Sequence, residues 1–226
     1  MTRMTLPAAA LLLFAPVAAH ATISRSIGFD EKVESAASIV VGKLISQQSR
    51  WDNAKQNIYT YSTFRIEKTL KGDPSPELTL VTPGGTVGTI AQEFIGVPQF
   101  QEGEEHVLFV RNAQAGPTVA FLEQGDYRVE TTERGDRLVT PAVSSSVLVD
   151  TGRGTAVAPE APRQFREFEG TVRETVRRHQ LNRMQLLERE KKQQSSFRNL
   201  LQRNKALVVL ALIGAILATW QLSKRR

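Results

Sequence analysis

A mainly β domain, followed by a long basic helix and one hydrophobic C-terminal helix, is the fold class that this sequence predicts. Short runs of β-branched residues, separated by turn residues, fill the chain from about residue 38 to residue 149. Residues 164–205 contain no proline and one glycine and are rich in Arg, Glu, Gln and Leu, a composition typical of helices. Residues 206–222 carry no charge. These three observations divide the chain into its main parts.

The first two predicted strands show the clearest β pattern in the domain. Ile39–Ile45 is a β-branched run, and Ile58–Leu70 alternates between apolar and polar side chains. The alternation predicts that Phe64, Ile66 and Leu70 share one face of the second strand. We therefore expect one side of this strand to be buried and the other to face water.

Shorter strands are predicted to follow, separated by turns that contain glycine or proline. Seven or eight strands within roughly 110 residues fit an OB-like barrel or a sandwich. The last two strands are predicted to form a hairpin around Glu133–Asp136. The predicted segments are Leu78–Val81, Thr86–Glu93, His106–Val110, Val119–Leu122, Tyr127–Val129 and Arg137–Val139.

Three segments of the β domain form a succession that points to a known family. They read ASIVVGKL at 37–44, YTYSTFRIEKTLKG at 59–72 and GEEHVLFV at 103–110. This order resembles the exposed strand, the YTF strand ending in LKG and the G-E-x-x-L-x-F strand of netrin-like domains. That group includes the tissue inhibitors of metalloproteinases and bacterial secreted relatives. The resemblance covers about half the chain and implies a five-stranded oligonucleotide/oligosaccharide-binding type barrel with added strands.

The absence of cysteine limits what this resemblance implies. No cysteine occurs in the chain, which excludes disulfides, thiolate metal sites and a cysteine nucleophile. The metalloproteinase inhibitors chelate the zinc of their target through an N-terminal cysteine, so that mechanism does not carry over. The resemblance still implies an alternative function, that of an inhibitor or accessory factor of an extracytoplasmic protease.

The N-terminal residues 1–21 have the pattern of a signal peptide. Arg3 precedes the apolar run Leu6–Val17, and Ala19–Ala21 is a small-x-small sequence that predicts cleavage before Thr22. An uncleaved anchor is the alternative, but a run of 12 residues is shorter than the roughly 20 that cross a bilayer. We therefore expect residues 22–153 to form an extracytoplasmic domain, in a bacterial periplasm or at a cell surface.

The C-terminal apolar run Ala206–Leu222 is predicted to be a transmembrane helix. Trp220 lies near one end as an interfacial anchor, and residues 223–226 form a basic tail predicted to be cytoplasmic. A basic-ended hydrophobic terminus also resembles the sorting signals that envelope transpeptidases process, although no recognition motif precedes it. The sequence thus predicts a single-pass membrane protein.

Charge is distributed unevenly along the chain. Residues 22–160 contain 13 basic and 18 acidic residues, a net charge of −5, whereas residues 161–226 contain 15 basic and 5 acidic residues, a net charge of +10. The acidic domain argues against nucleic acid as a ligand. We expect membrane lipid to contact Ala206–Leu222 and the basic helix.

An Ala/Pro-rich linker is predicted at 154–163, ahead of the basic helix at 164–205. Phe165, Phe168, Val172 and Val176 recur at helical spacing and predict a narrow apolar stripe. A stalk or a helix on an anionic membrane surface is the favoured interpretation, with coiled-coil pairing and docking on the β domain as alternatives. The oligomeric state is not predicted.

No catalytic, cofactor-binding or metal-binding residue is predicted. After signal cleavage the only histidines are His106 and His179, which lie in different segments. His106 follows Glu104 and is interpreted as a strand-edge residue beside solvated glutamates, and Pro83–Gly88 lacks the Gly-Lys-Ser/Thr ending of a phosphate loop. The sequence therefore favours a non-enzymatic binding or scaffolding module whose partner is an envelope protein.

Overall fold

A long central hairpin organises the fold. In the computed structural model, which describes residues 22–143 and 146–203, strands β2 (Ser38–Trp51) and β3 (Ile58–Lys71) are 14 residues long and pair antiparallel from Ile39↔Lys71 to Trp51↔Ile58. The sequence predicts β2 only as far as Ile45, because the polar stretch 46–51 has no apolar alternation. Pairing with β3 extends the strand through that stretch.

Thirteen strands, two α-helices and one short 3₁₀ helix (Leu122–Gly125) account for the regular structure of the described ranges. The helices are α1 (Phe29–Ser35) and α2 (Phe165–Arg203). The other strands are β1 (Thr22–Arg25), β4 (Glu77–Pro83), β5 (Gly85–Val87), β6 (Ile90–Gln92), β7 (Glu105–Ala113), β8 (Gly116–Val119), β9 (Asp126–Thr131), β10 (Arg137–Pro141), β11 (Ser146–Asp150), β12 (Thr155–Val157) and β13 (Arg163–Gln164).

The main sheet has eight strands and remains open. Its order is β13–β10–β9–β7–β2–β3–β4, with β8 paired to β7, and β1, β11 and β12 form a separate three-stranded sheet. Strand β4 approaches β8 closely, since a Cβ on Gly116 would lie 3.1 Å from Val81 Cγ2, but these two strands are not hydrogen-bonded. The predicted mainly β domain with a long basic helix is confirmed. The closure that a barrel requires is not present among the described strands.

The central strands bury both of their faces. One face forms the helix-side core, which includes Val41 and Leu70, and the other forms the inner core, which includes Phe64 and Leu80. The prediction that Phe64 and Leu70 share a face is therefore wrong. Register shifts beside Ile39 and Val41 place extra residues in β3, and each extra residue reverses the side-chain alternation that follows it.

Helix α2 belongs to the domain in its first turns and leaves it afterwards. Phe165, Phe168 and Val172 pack into the helix-side core, so this part of the helix docks on the β domain. Every residue from Leu181 to Ser196 is exposed. At 1.5 Å per residue, the part of the helix beyond Gln180 is roughly 35 Å long.

The stretch predicted as a linker, 154–163, is tied to both sheets. Thr155–Val157 pairs with β11, and Arg163 pairs with β10. The predicted signal peptide 1–21, membrane span 206–222 and tail 223–226 lie outside the described residues. Within residues 22–143 and 146–203, no helix combines the length and the apolar character needed to cross a membrane.

Candidate binding surface

After β4, two glycines form a turn that packs against the central hairpin. Gly84 and Gly85 have φ values of +94° and +127°. The Gly84 N–H donates to the Ile58 carbonyl at 2.8 Å, and Thr60 Oγ1 donates to the Gly84 carbonyl at 2.7 Å. A Cβ on Gly85 would clash with the hydroxyls of Ser49 and Thr60. Glycine is therefore required here, because both the backbone angle and the close approach exclude a side chain.

Gln92 fixes the loop that follows β6. Its Oε1 accepts a hydrogen bond from the Ile58 N–H at 2.7 Å, and its Nε2 donates to the Gln56 carbonyl at 3.1 Å. Val97 is buried and anchors the far end of the loop. Between these anchors, Phe94 and Ile95 are each about half exposed. The loop thus presents two large apolar side chains from a fixed base.

A cavity of about 550 Å³ lies between this loop and the hairpin. We call it the loop groove. Its lining includes the side chains of Gln47, Ser49 and Thr60 from the hairpin, together with Phe94 and Ile95 from the loop. Glu93 is the only ionisable residue among those that line it. Hydroxyl, amide and apolar groups make up most of the lining, a composition suited to hydrogen bonding and apolar contact with a ligand.

His106 is buried rather than solvated, contrary to the sequence interpretation. The side chain is fully excluded from solvent, and its Nδ1 lies 2.7 Å from Oδ1 of the equally buried Asp126. Its ring meets the rings of Phe64 and Phe100 edge-on, with centroid distances of 6.0 and 5.1 Å. His106 therefore forms a polar pair inside the inner core, where no substrate has access.

Two further charges border this pair. Glu104 Oε2 lies 3.4 Å from His106 Nε2, and Glu104 Oε1 lies 3.4 Å from Nε of Arg128. Burial raises the pKa of the Asp126 carboxyl, while the hydrogen bond from His106 acts in the opposite direction. His106 and Asp126 are fully buried, whereas the side chains of Glu104 and Arg128 beside them reach solvent, so the pair lies in the core under a charged surface.

A second buried polar cluster lies on the helix-side core. Lys32 Nζ donates to Tyr127 Oη at 2.8 Å and to Glu160 Oε1 at 2.8 Å, and the Tyr127 hydroxyl donates to the same Glu160 oxygen at 3.0 Å. Arg163 Nη2 donates to Glu160 Oε2 at 2.8 Å. We call this group the carboxylate cluster. Burial lowers the pKa of Lys32, partly offset by Glu160, and burial raises the pKa of Tyr127 well above its ordinary value.

Alkaline titration of the phenol is expected to show this burial. The chain has three tyrosines, and the Tyr127 step in absorbance near 295 nm should occur well above pH 10. Because the folded-state pKa is raised, the stability that the neutral phenol contributes is fully present below pH 10 and is lost as the pH rises through the higher, folded-state value.

Tyr127→Phe should remove that late step and reduce the loss of stability above pH 10. Tyr61→Phe is the matched control. Tyr61 lies on the central hairpin, and the Arg50 Cζ atom lies 3.6 Å from the centroid of the Tyr61 ring. A late step that persists in Tyr127→Phe would show that the phenol is not held as described.

The remaining predicted candidates do not assemble into a site. His179 lies on α2 with its Nδ1 3.7 Å from Glu34 Oε2, far along the chain from His106. Pro83–Gly88 forms the end of β4 and the β5 strand of a hairpin, and no helix follows it. Phe64 is a core residue, as predicted. The described part of the chain contains no group of His, Asp and Glu side chains able to hold a metal ion.

Sequence reasoning missed the residues that build both sites. Gln92 and Glu160 are polar residues in segments without a motif, and Lys32 lies in α1, a helix that the sequence does not predict. The Gly84–Gly85 pair is the one available signal, because adjacent glycines after a strand mark a special turn. Comparison of the chain with models of known protein families and with curated proteins gave no match.

Proposed function

We propose that this chain is a non-catalytic binding module of the cell envelope that takes a protein partner in the loop groove and is held in a membrane by residues 206–222. The observation that carries the binding role is the exposure of Phe94 and Ile95 beside a cavity lined almost entirely by uncharged groups. Aromatic and aliphatic anchors beside hydroxyl and amide groups are typical of protein–protein contacts.

The fixed loop supports this role energetically. Gln92 and Val97 hold the loop at both ends, so a partner would meet Phe94 and Ile95 in an ordered segment. Binding to a preorganised surface loses less conformational entropy than binding to a flexible one. The close approach of β4 to β8 in the curled sheet supports a netrin-like, OB-like origin for this module.

The charge of α2 supports the membrane part of the proposal. Residues 181–203 contain six basic and two acidic residues, and the exposed part of the helix leads toward the uncharged run at 206–222. Basic residues next to a membrane span attract anionic lipid head groups. In this arrangement α2 raises the β domain above the membrane surface and leaves the loop groove open to the envelope.

A photo-crosslinking amino acid at position 94 or 95 of the full-length protein tests the proposal in intact cells. We expect one adduct of defined mass in the membrane fraction, and we expect Phe94→Ser with Ile95→Ser to weaken binding of that partner at least tenfold, as removal of interface anchors does. The same probe at Ile23, which is exposed on β1, is the matched control and should give no adduct.

Three outcomes would contradict the proposal. Equal adducts at positions 94 and 23 would mean that capture does not depend on the groove. Recovery of the chain itself in the soluble fraction would overturn the membrane part. Stoichiometric inhibition of a protease by the purified chain would favour the inhibitor alternative instead.

A further inference from the structure

The carboxylate cluster has the construction of a ligand site that the chain fills with its own side chain. Three donors from different parts of the fold converge on one carboxylate: Lys32 from α1, Tyr127 from β9 and Arg163 from β13. Both oxygens of Glu160 are engaged, one by Lys32 and Tyr127 and the other by Arg163. This is the pattern by which proteins recognise a carboxylate in an orientation-specific way.

The segment that brings Glu160 to the donors is weakly attached. Residues 151–159 are all exposed, and ahead of β13, which pairs with β10, the segment is joined to the domain through the three residue pairs between β12 and β11. Lys32, in contrast, is almost entirely buried. Lys32 and Tyr127 therefore belong to the buried core and Arg163 is held by β13, whereas Glu160 follows an exposed arm with few contacts, the kind of segment that opens at low free-energy cost.

A cavity lies next to the donors. Its volume is about 280 Å³, and Lys32, Glu160 and Arg163 share its lining with apolar side chains. The domain contributes the apolar side chains of Ile27, Phe29, Pro141, Val143 and Leu148, and the arm adds those of Val157, Ala158 and Pro159. A cationic end and an apolar body together match a ligand that carries a carboxylate on a short apolar chain.

The electrostatics of Lys32 agree with this interpretation. An ammonium group has three N–H donors, and within the described ranges Tyr127 and Glu160 accept two of them. Burial lowers the pKa of Lys32, and Glu160 is the carboxylate that opposes this effect. If the arm left without a replacement, a buried cation would lose its counter-charge, which is strongly unfavourable. Opening of the arm would therefore be favoured by the arrival of another anion.

We propose that Lys32, Tyr127 and Arg163 form a binding site for a carboxylate attached to an apolar group, and that Glu160 occupies this site as an internal competitor. Two sources share this chemistry, a free aliphatic acid and the C-terminus of a polypeptide that ends in an aliphatic residue. The site is distinct from the loop groove and does not depend on what binds there.

Binding of hexanoate and of a short peptide with a free C-terminal leucine tests this site, with calorimetry on the full-length protein in detergent. Glu160→Gln should bind hexanoate or the peptide at least tenfold more tightly than the wild type, because the competing charge is gone while the side chain keeps its size. Hexanamide and the peptide amide, which lack the charge, should not bind to either protein. Tighter binding of the peptide identifies a polypeptide C-terminus as the source, and tighter binding of hexanoate identifies an aliphatic acid.

Variants of the donors complete the test. Lys32→Met combined with Glu160→Gln removes both charges of the pair together, so the core is not left with an uncompensated ion, and it should abolish binding. Arg163→Gln in the Glu160→Gln background should weaken binding at least tenfold. Equal affinity of wild type and Glu160→Gln, binding of the amides, or binding that survives removal of Lys32 would each overturn the proposal.

Discussion

Asp126→Ala is expected to lower the free energy of unfolding by about 1–3 kcal/mol, because it leaves the buried His106 imidazole without its hydrogen-bond partner. The change removes the 2.7 Å contact between His106 Nδ1 and Asp126 Oδ1 and opens space beside the buried imidazole ring. The hydrogen bond exists in either protonation state, since the imidazole donates to a carboxylate and accepts from a carboxylic acid. The loss is therefore expected across the neutral pH range.

Urea-induced unfolding, followed by circular dichroism, measures this effect. Asp136→Ala is the matched control, because Asp136 is an exposed residue of the turn between β9 and β10. A change within about 0.5 kcal/mol is expected there. If Asp126→Ala were as mild as the control, His106 would have to gain another partner or reach water, and the pair would not be the stabilising element described.

Phe168→Ala is expected to lower the free energy of unfolding further, by about 3–5 kcal/mol, and to undock the first turns of α2. Phe168 is 1% exposed, and its ring centroid lies 4.9 Å from that of Tyr127 and 5.5 Å from that of Phe29. Truncation leaves a cavity where α1, α2 and the sheet meet. The surrounding side chains belong to three separate elements, so they can close that cavity only in part.

Two measurements separate local from global effects of this change. Urea unfolding reports the stability, and hydrogen exchange of the α2 amides around Val172 reports undocking of the helix. Met184→Ala is the matched control, since Met184 is more than half exposed on the part of α2 beyond the domain. Unchanged protection around Val172 in Phe168→Ala would contradict the view that this ring holds the helix on the sheet.

The mainly β character and the long helix could be predicted from the sequence for a local reason. Strand and helix propensity are local properties of the chain. They favour a strand at the β-branched run Ile39–Ile45 and a helix at the proline-free stretch 164–205. The faces of the strands could not be predicted in the same way. The bulges that move Leu70 to the helix-side core depend on how β2 and β3 pair, and no local pattern marks them.

The helix α1 could not be predicted from the sequence for a different reason. Its seven residues, FDEKVES, contain two apolar positions, too few for a 3.6-residue period to stand out from the background. Its stability comes from packing, since Val33 is fully buried and Lys71 Nζ donates to the carbonyls of Val33, Glu34 and Ala36 near its C-terminus. Such capping from a distant strand is visible only in the folded chain.

By itself, the sequence determined the class of each segment, the absence of cysteine chemistry and the contrast between an acidic domain and a basic helix, because composition and local periodicity are properties of the chain alone. Only the tertiary structure decided which polar residues meet. Asp126 reaches His106 from 20 residues away through the register of β7 and β9, and Glu160 reaches Lys32 from 128 residues away. The physical reason is that strand register and the docking of helices bring distant side chains within hydrogen-bond distance, and local preferences do not encode those distances.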